Sequence, residues 1–235
     1  MLADKYDHVR EQIMSACRAS ERAPDSVRLL AVSKTRSADE IRQLYACGPN
    51  AFGENYLQEA LDKIEALQDL PLEWHFIGPI QSNKTRPIAE HFDWVHSVDR
   101  LKIAKRLSEQ RPAHRAPLNI CLQVNISEEA SKSGCAPDEL PALARAVAAL
   151  PNLQLRGLMA IPEAEPDPER QRATFARVRT LLTALQAELP RLDTLSMGMS
   201  GDLDAAIAEG ATIVRIGTAL FGPRPSPNST SHSPA

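Results

Sequence analysis

The stretch Val27-Arg28-Leu29-Leu30-Ala31-Val32-Ser33-Lys34 is a short apolar run that ends on a lysine. Its length and its nearly continuous apolar character predict a buried parallel strand. The next segment, Ser37-Ala38-Asp39-Glu40, is a capping box, and it predicts the start of a helix that Gly48 stops. A strand followed at once by a helix is the repeating unit of an α/β fold.

Strand and helix signals continue to alternate along the chain. Further strands are predicted at 50–54, 73–78, 93–98, 118–126, 153–161, 194–199 and 212–217. Helix signals stand between them, including one helix that we expect Asp99 to cap and one that we expect Pro137 to begin. An additional amphipathic helix precedes the first strand. Parallel strands need helical crossovers, so eight such units predict an α/β protein with a single (β/α)8 TIM barrel and an extra N-terminal helix.

The composition is that of an ordinary soluble globular protein. The chain has 235 residues, of which 43% are hydrophobic and 24% charged, with a net charge of -3. We expect residues 1–224 to form one barrel domain and residues 225–235, which are rich in Pro, Ser, Asn and Thr, to form a disordered tail. No basic stripe with interleaved aromatic residues is present, so no nucleic-acid partner is expected.

The termini and the cysteines bear on location and metal binding. The N-terminal segment carries acids where a signal peptide would carry bases, and no apolar run reaches membrane-spanning length, so we expect a cytoplasmic protein without a membrane partner. The cysteines and histidines show no CxxC, zinc-like or HExxH spacing. We therefore expect reduced thiols and no metal site.

Lys34 places an amine at the end of a predicted buried strand. A desolvated lysine loses affinity for its proton, and a neutral amine can attack an aldehyde to form a Schiff base. The alternative is a lysine that reaches solvent or pairs with a carboxylate. Lys34 alone does not decide between these interpretations.

Further polar residues are predicted at the carboxyl ends of the strands, where barrel enzymes have their active sites. They are Lys34, Glu54, Asn55, Asn125, Ser200, Arg215 and Thr218. The loops after the seventh and eighth strands are the usual phosphate site of this fold, and the hydroxyls of Ser200 and Thr218 can donate there. Gly201 and Gly217 would let the backbone approach an anion, although both could equally be ordinary turn glycines.

A reactive lysine beside a phosphate site suits two ligand classes, phosphorylated carbonyl substrates and pyridoxal 5'-phosphate (PLP). Arg215 favours PLP, because an arginine can donate to the pyridine nitrogen of that cofactor. Arginine stays protonated and so leaves the nitrogen unprotonated, which makes the ring a poorer electron sink. A role for Arg215 as a phosphate or carboxylate partner remains open.

At these residues the chain resembles the YggS/PROSC family of PLP homeostasis proteins, whose fold is similar to the N-terminal barrel of alanine racemase. The matching segments are 30–35, 52–56, 74–78, 81–84, 125–127, 131–134, 158–162, 197–200 and 215–222. They span nearly the whole chain except the tail. Gly201 departs from the family, whose members often carry a polar or acidic residue there.

The resemblance implies a set of cofactor contacts. Lys34 would form the Schiff base with PLP, Asn55 would lie by the cofactor, and Arg215 would face the pyridine nitrogen. The remaining implied contacts are Met199, Ser200, Gly217 and Thr218, of which the last three would hold the phosphate. Lys84 and Lys132 also lie in matching loops, where we favour solvated charges over auxiliary PLP contacts.

The resemblance also implies a cytosolic protein, often monomeric, that influences PLP supply and amino-acid and keto-acid balance without an established catalytic turnover. Apo PLP-dependent enzymes are its expected partners. The alternative is a PLP-dependent racemase, which needs a second acid or base that alanine racemases take from an added domain. A Schiff-base aldolase acting on sugar phosphates would use the same lysine, but Arg215 fits PLP better.

Overall fold

The computed structural model of the protein describes residues 1–130 and 132–224, and it contains a closed barrel of parallel strands in chain order. The strands are β1 (Arg28–Val32), β2 (Ala51–Glu54), β3 (Glu73–Phe76), β4 (Trp94–Val98), β5 (Leu118–Gln123), β6 (Leu153–Met159), β7 (Thr194–Ser196) and β8 (Ile213–Ile216). The predicted (β/α)8 TIM barrel is confirmed.

Helices cover the outside of the barrel, and the predicted N-terminal helix is present. They are α1 (Leu2–Ala19), α2 (Ala38–Tyr45), α3 (Leu57–Ala66), α4 (Thr85–His91), α5 (Leu101–Gln110), α6 (Leu140–Ala148), α7 (Pro168–Gln186), α8 (Leu203–Ala208) and α9 (Thr218–Phe221), with a short 3-10 helix at Ser82–Lys84. The helix α9 directly after β8 was not predicted from the sequence.

The alternation of side chains along the strands divides the apolar core into two layers. On β1, Leu29 and Ala31 belong to the large layer between barrel and helices, whereas Leu30 belongs to a small cluster inside the barrel. The barrel closes where Leu30 of β1 lies in register with Arg215 of β8. The same alternation therefore directs Arg215 into the barrel interior.

The helix boundaries show which of the predicted capping and helix-start residues have that role in the structure. Ser37 caps α2, because its hydroxyl accepts a hydrogen bond from the Glu40 N–H at 3.1 Å. The prediction that Asp99 caps α5 is wrong, since its carboxylate accepts a hydrogen bond from the N–H of Gly134 at 3.1 Å instead. Pro137 does not begin α6 but lies in the turn before it. At Asp99, a contact distant in sequence thus competes successfully for the expected capping group.

The predicted disordered tail at 225–235 lies outside the described residues, as does Ser131 in one of the family-matching segments. The four cysteines are free, and three of them are buried. None of the helices within 1–130 and 132–224 is long and apolar enough to cross a membrane. In the same ranges no group of three or more His, Cys, Asp or Glu side chains could hold a metal ion.

Candidate functional site

A pocket of about 240 Å³ opens at the carboxyl ends of β1, β2 and β8. It is lined by all the residues for which the sequence predicts cofactor contacts, namely Lys34, Asn55, Met199, Ser200, Arg215, Gly217 and Thr218. Two other polar residues at strand ends, Glu54 and Asn125, do not line it. The tertiary structure thus brings together residues that are up to about 180 positions apart in the chain.

Lys34 lies half-buried on the wall of this pocket. Burial, and secondarily the positive charge of Arg224, lower the pKa of its amine below the ordinary value of 10.5. Both effects disfavour the ammonium form and so raise the fraction of neutral, nucleophilic amine. The structure therefore agrees with the sequence-based expectation that desolvation lowers the pKa of Lys34.

Helix α3 fixes the backbone on both sides of Lys34. The ammonium group of Lys63 donates a hydrogen bond to the carbonyl oxygen of Ser33 at 2.8 Å. On the other side, the N–H of Thr35 donates to the carboxylate of Glu59, which also pairs with Lys63 at 2.7 Å. Thr35 has a φ of +65°, a left-handed conformation that costs a non-glycine residue energy and needs such support.

Glu54 helps to hold Lys63, which supports the backbone around Lys34, and it does not line the pocket. Its carboxylate, at the end of β2, is 1% exposed and forms an ion pair with Lys63 at 2.6 Å. Burial raises the pKa of Glu54 to about 7, although the nearby Lys63 charge acts in the opposite direction. A buried carboxylate is tolerated here because one buried ammonium serves two acids and a carbonyl.

We expect Lys63→Met to lower the free energy of unfolding by about 3 kcal/mol, because it leaves the Glu54 carboxylate buried without a cation. Urea unfolding followed by circular dichroism measures the change. Lys102→Met, at an exposed position of α5, is the matched control and should stay near wild type. The double variant Lys63→Met/Glu54→Gln should recover part of the loss. Equal stability of Lys63→Met and Lys102→Met would contradict the assignment.

The raised pKa of Glu54 predicts a pH dependence of stability. The folded state holds this proton more tightly than the unfolded state, so the contribution is present below pH 4.5 and is lost as pH rises towards about 7. Relative to Glu54→Gln, wild type should therefore lose up to about 3 kcal/mol of unfolding free energy across this range. Glu65→Gln, at an exposed position of α3, is the matched control. A flat difference between wild type and Glu54→Gln would refute the prediction.

Arg215 is buried in the pocket wall, and both terminal nitrogens of its guanidinium are hydrogen-bonded. One terminal nitrogen of its guanidinium donates to the Ser196 hydroxyl at 2.8 Å, and the other donates to the Ala160 carbonyl at 3.0 Å. Burial lowers the pKa of Arg215 to about 10, so the group still carries its charge at neutral pH. The pocket therefore has a fixed cation in its wall.

Asn55 contributes a polar atom that lacks a partner. Its side-chain oxygen is buried and accepts no hydrogen bond from any residue within 1–130 or 132–224. A buried acceptor of this kind typically costs about 1–3 kcal/mol when nothing satisfies it. A ligand with a donor group would satisfy the Asn55 oxygen and remove this cost.

Hydrogen-bond donors also line the pocket after β7 and β8. Gly217 is the N-cap of α9, which begins at Thr218, and Thr218 is exposed to solvent. Ser200 is likewise exposed, in a turn shaped by a hydrogen bond from the Met199 N–H to the Asp202 carboxylate at 2.7 Å. Hydroxyls next to backbone N–H groups at a helix start favour an anion such as phosphate.

Two arginines that sequence reasoning missed also line the pocket, together with Val32, Ile77 and Ile161. Arg36 donates to the carbonyl oxygens of Gly222 and Pro223, and its guanidinium lies 5.3 Å from the ring centre of Phe221. These contacts hold the segment that places Arg224 beside Lys34. In the sequence, the only indication that Arg36 belongs to this site is its position two residues after Lys34.

The other lysines of the family-matching loops lie elsewhere. Lys84 is exposed and lines an adjacent pocket, which shares Asn55 with the pocket of Lys34. Lys132 forms an ion pair with Glu129 at 3.5 Å. Neither lines the pocket that contains Lys34.

Comparison with known proteins matches residues 7–225 to the family described as alanine racemase, N-terminal domain. The pyridoxal phosphate homeostasis protein of Pseudomonas aeruginosa is 66% identical over 223 residues, which cover 95% of this chain and 96% of that protein. The protein of the same name from Escherichia coli strain K12 is 52% identical over 226 residues, covering 95% and 97%.

Among solved structures, PipY of Synechococcus elongatus PCC7942 with PLP bound has a TM-score of 0.83 and 42% identity. The match covers 94% of this chain and 100% of that one. Fold and sequence thus agree over nearly the full length. The chain belongs to the family with an alanine racemase N-terminal domain, and within it to the pyridoxal phosphate homeostasis proteins.

Proposed function

We propose that this protein binds PLP as a Schiff base on Lys34 and acts in intracellular PLP homeostasis and supply, and so in amino-acid and keto-acid balance. We further propose that residues 1–224 form the PLP-binding domain and that the protein works in the cytoplasm as a monomer. Its relatives named for PLP homeostasis and the PLP-bound PipY structure support the proposal.

One observation carries the proposal: a single pocket contains a lysine of lowered pKa, a fixed arginine and a set of anion donors. PLP supplies an aldehyde that condenses reversibly with an amine, and it carries a phosphate and a pyridine nitrogen. The residues present fit each of these groups. The buried oxygen of Asn55, which lacks a donor among the described residues, adds an acceptor for a polar group of the ligand.

Each side chain has a separate task. Lys34, positioned by α3, provides the amine. The hydroxyls of Ser200 and Thr218 and the backbone at Gly217 bind the phosphate, while Arg215 donates towards the pyridine nitrogen and Met199 contributes an apolar contact. An arginine donor keeps its own proton, so these residues hold the cofactor without strongly promoting carbanion chemistry.

Titration of the purified protein with PLP tests the proposal. We expect a visible absorption band that saturates at one PLP per chain, and a lysine-linked pyridoxyl adduct after borohydride reduction. Peptide mapping should place this adduct on Lys34. A protein that stays colourless and takes up no added PLP would refute the proposed function.

Apo PLP-dependent enzymes are the partners that a supply role requires. We propose that the loaded protein reactivates such an apo-enzyme faster than free PLP does at equal concentration. Following the recovered activity over time would measure this difference. Equal rates for loaded protein and free PLP would argue for storage without directed delivery.

The second candidate is a PLP-dependent amino-acid racemase, favoured by the family that the sequence matches. A two-base racemase needs an acid or base on the face of the ring opposite the lysine. Among the described residues no tyrosine lines the pocket of Lys34, since Tyr56 lines an adjacent pocket and Tyr6 and Tyr45 lie on outer helices. We expect no rapid formation of D-alanine from L-alanine by the PLP-loaded protein, and rapid formation would overturn the homeostasis proposal.

A further inference from the structure

A chain of buried polar side chains crosses the barrel interior and ends at Arg215. The Ser196 hydroxyl, which accepts from Arg215, lies 2.7 Å from Nδ1 of His96. Nε2 of His96 lies 2.8 Å from Nδ1 of His75, and Nε2 of His75 lies 2.7 Å from the carboxylate of Glu73. The two imidazoles and the serine are 1% exposed or less.

The carboxylate end fixes the direction of the hydrogen bonds in this series when both imidazoles are neutral. A carboxylate has no donor, so His75 donates from Nε2 to Glu73 and accepts at Nδ1. His96 then carries its proton on Nε2 and donates it to Nδ1 of His75. Nδ1 of His96 therefore accepts from the Ser196 O–H, and the Ser196 oxygen accepts from Arg215, which has no acceptor of its own.

The charges around the chain agree with this direction. Burial lowers the pKa of His75, and burial together with the charge of Arg215 lowers the pKa of His96 well below its ordinary value. Burial acts to raise the pKa of Glu73, but its contacts with His75 and Arg28 outweigh this and lower the pKa to about 2. A charged arginine and a charged carboxylate thus stand at opposite ends of two neutral imidazoles.

We propose that Ser196, His96 and His75 are positioning residues that fix the orientation of the Arg215 guanidinium in the pocket. The ordered protons leave the Ser196 oxygen available only as an acceptor towards Arg215, so the guanidinium cannot rotate without breaking a charge-assisted bond. The effect on bound PLP rests on the proposed function. The proton arrangement and the rigidity of Arg215 do not.

The first test uses the ligand-free protein. Nitrogen-15 NMR of the imidazoles at pH 7 should show His75 and His96 as neutral rings protonated on Nε2, with the signal of exposed His8 as the reference. Exchange of the Arg215 guanidinium protons should be slow in wild type and at least about tenfold faster in Ser196→Ala. A charged His96, an Nδ1-protonated ring or unchanged exchange would overturn the proposal.

The second test uses PLP and a matched serine variant. Ser108 is also buried and donates to the Pro151 carbonyl at 2.5 Å, far from the pocket, so Ser108→Ala controls for loss of a buried hydroxyl. We expect Ser196→Ala and His96→Leu to weaken PLP binding about tenfold, while Ser108→Ala leaves it unchanged.

His96→Gln should restore affinity to within about threefold of wild type, because an amide can accept from Ser196 and donate to His75. Equal PLP affinity of Ser196→Ala and Ser108→Ala would overturn the positioning role. If wild type took up no PLP, the proposed function would fail. The NMR measurements would still decide whether the hydrogen bonds through Ser196, His96 and His75 order Arg215.

Discussion

In the Lys34→Ala variant we expect the visible absorption band of added PLP to be absent, together with any borohydride-fixed pyridoxyl adduct. Alanine offers no amine, and no other lysine lines the pocket among the described residues. The phosphate donors and Arg215 remain, so PLP should bind only non-covalently and at least about 100-fold more weakly. Absorption titration followed by reduction and mass spectrometry measures both effects.

The controls for this variant are Lys84→Ala and Lys132→Ala. Lys84 is exposed and does not line the pocket of Lys34, and Lys132 pairs with Glu129, so both variants should keep the band and the adduct. The melting temperature of Lys34→Ala should match wild type, because the replaced amine is only half-buried. An adduct that persists in Lys34→Ala would show that a different lysine carries the cofactor.

Gly157→Ala should be among the most destabilising single substitutions in the barrel. A Cβ at Gly157 on β6 would lie 1.8 Å from the carbonyl oxygen of Thr194 on β7 and 2.7 Å from its carbonyl carbon. These are backbone atoms in the adjacent strand, with which Gly157 is in direct register, so relief requires the two strands to separate. We expect the free energy of unfolding to fall by at least about 3 kcal/mol.

Urea unfolding of Gly157→Ala beside Gly201→Ala measures this effect against a matched change. Nothing lies within 4 Å of a Cβ at Gly201, and its φ is not in the left-handed region. The control should therefore lie within about 0.5 kcal/mol of wild type or be slightly more stable, since alanine restricts the unfolded chain. Similar stabilities for the two variants would contradict the close strand approach at Gly157.

Gly157 and Gly201 show which structural constraints a local sequence pattern reveals and which depend on contacts between distant segments. Both glycines stand in the sequence without a distinguishing neighbour, and the strand pattern around Gly157 does not reveal that Thr194 approaches it. Only the pairing of β6 with β7 makes one position intolerant and leaves the other free. The same reason explains why Asp99 was wrongly expected to cap α5, because its partner Gly134 comes from a distant loop.

The sequence by itself determined the barrel and the main residues of the pocket. Alternating strand and helix patterns are local, and a barrel brings all strand ends to one face, so Lys34 and Arg215 could be placed together in advance. The tertiary structure alone decided what supports them. Lys63 beneath the Lys34 turn, Arg224 beside its amine, and the His75–His96 pair behind Arg215 act through contacts between distant segments. Such contacts depend on strand register and side-chain direction, which no local pattern encodes.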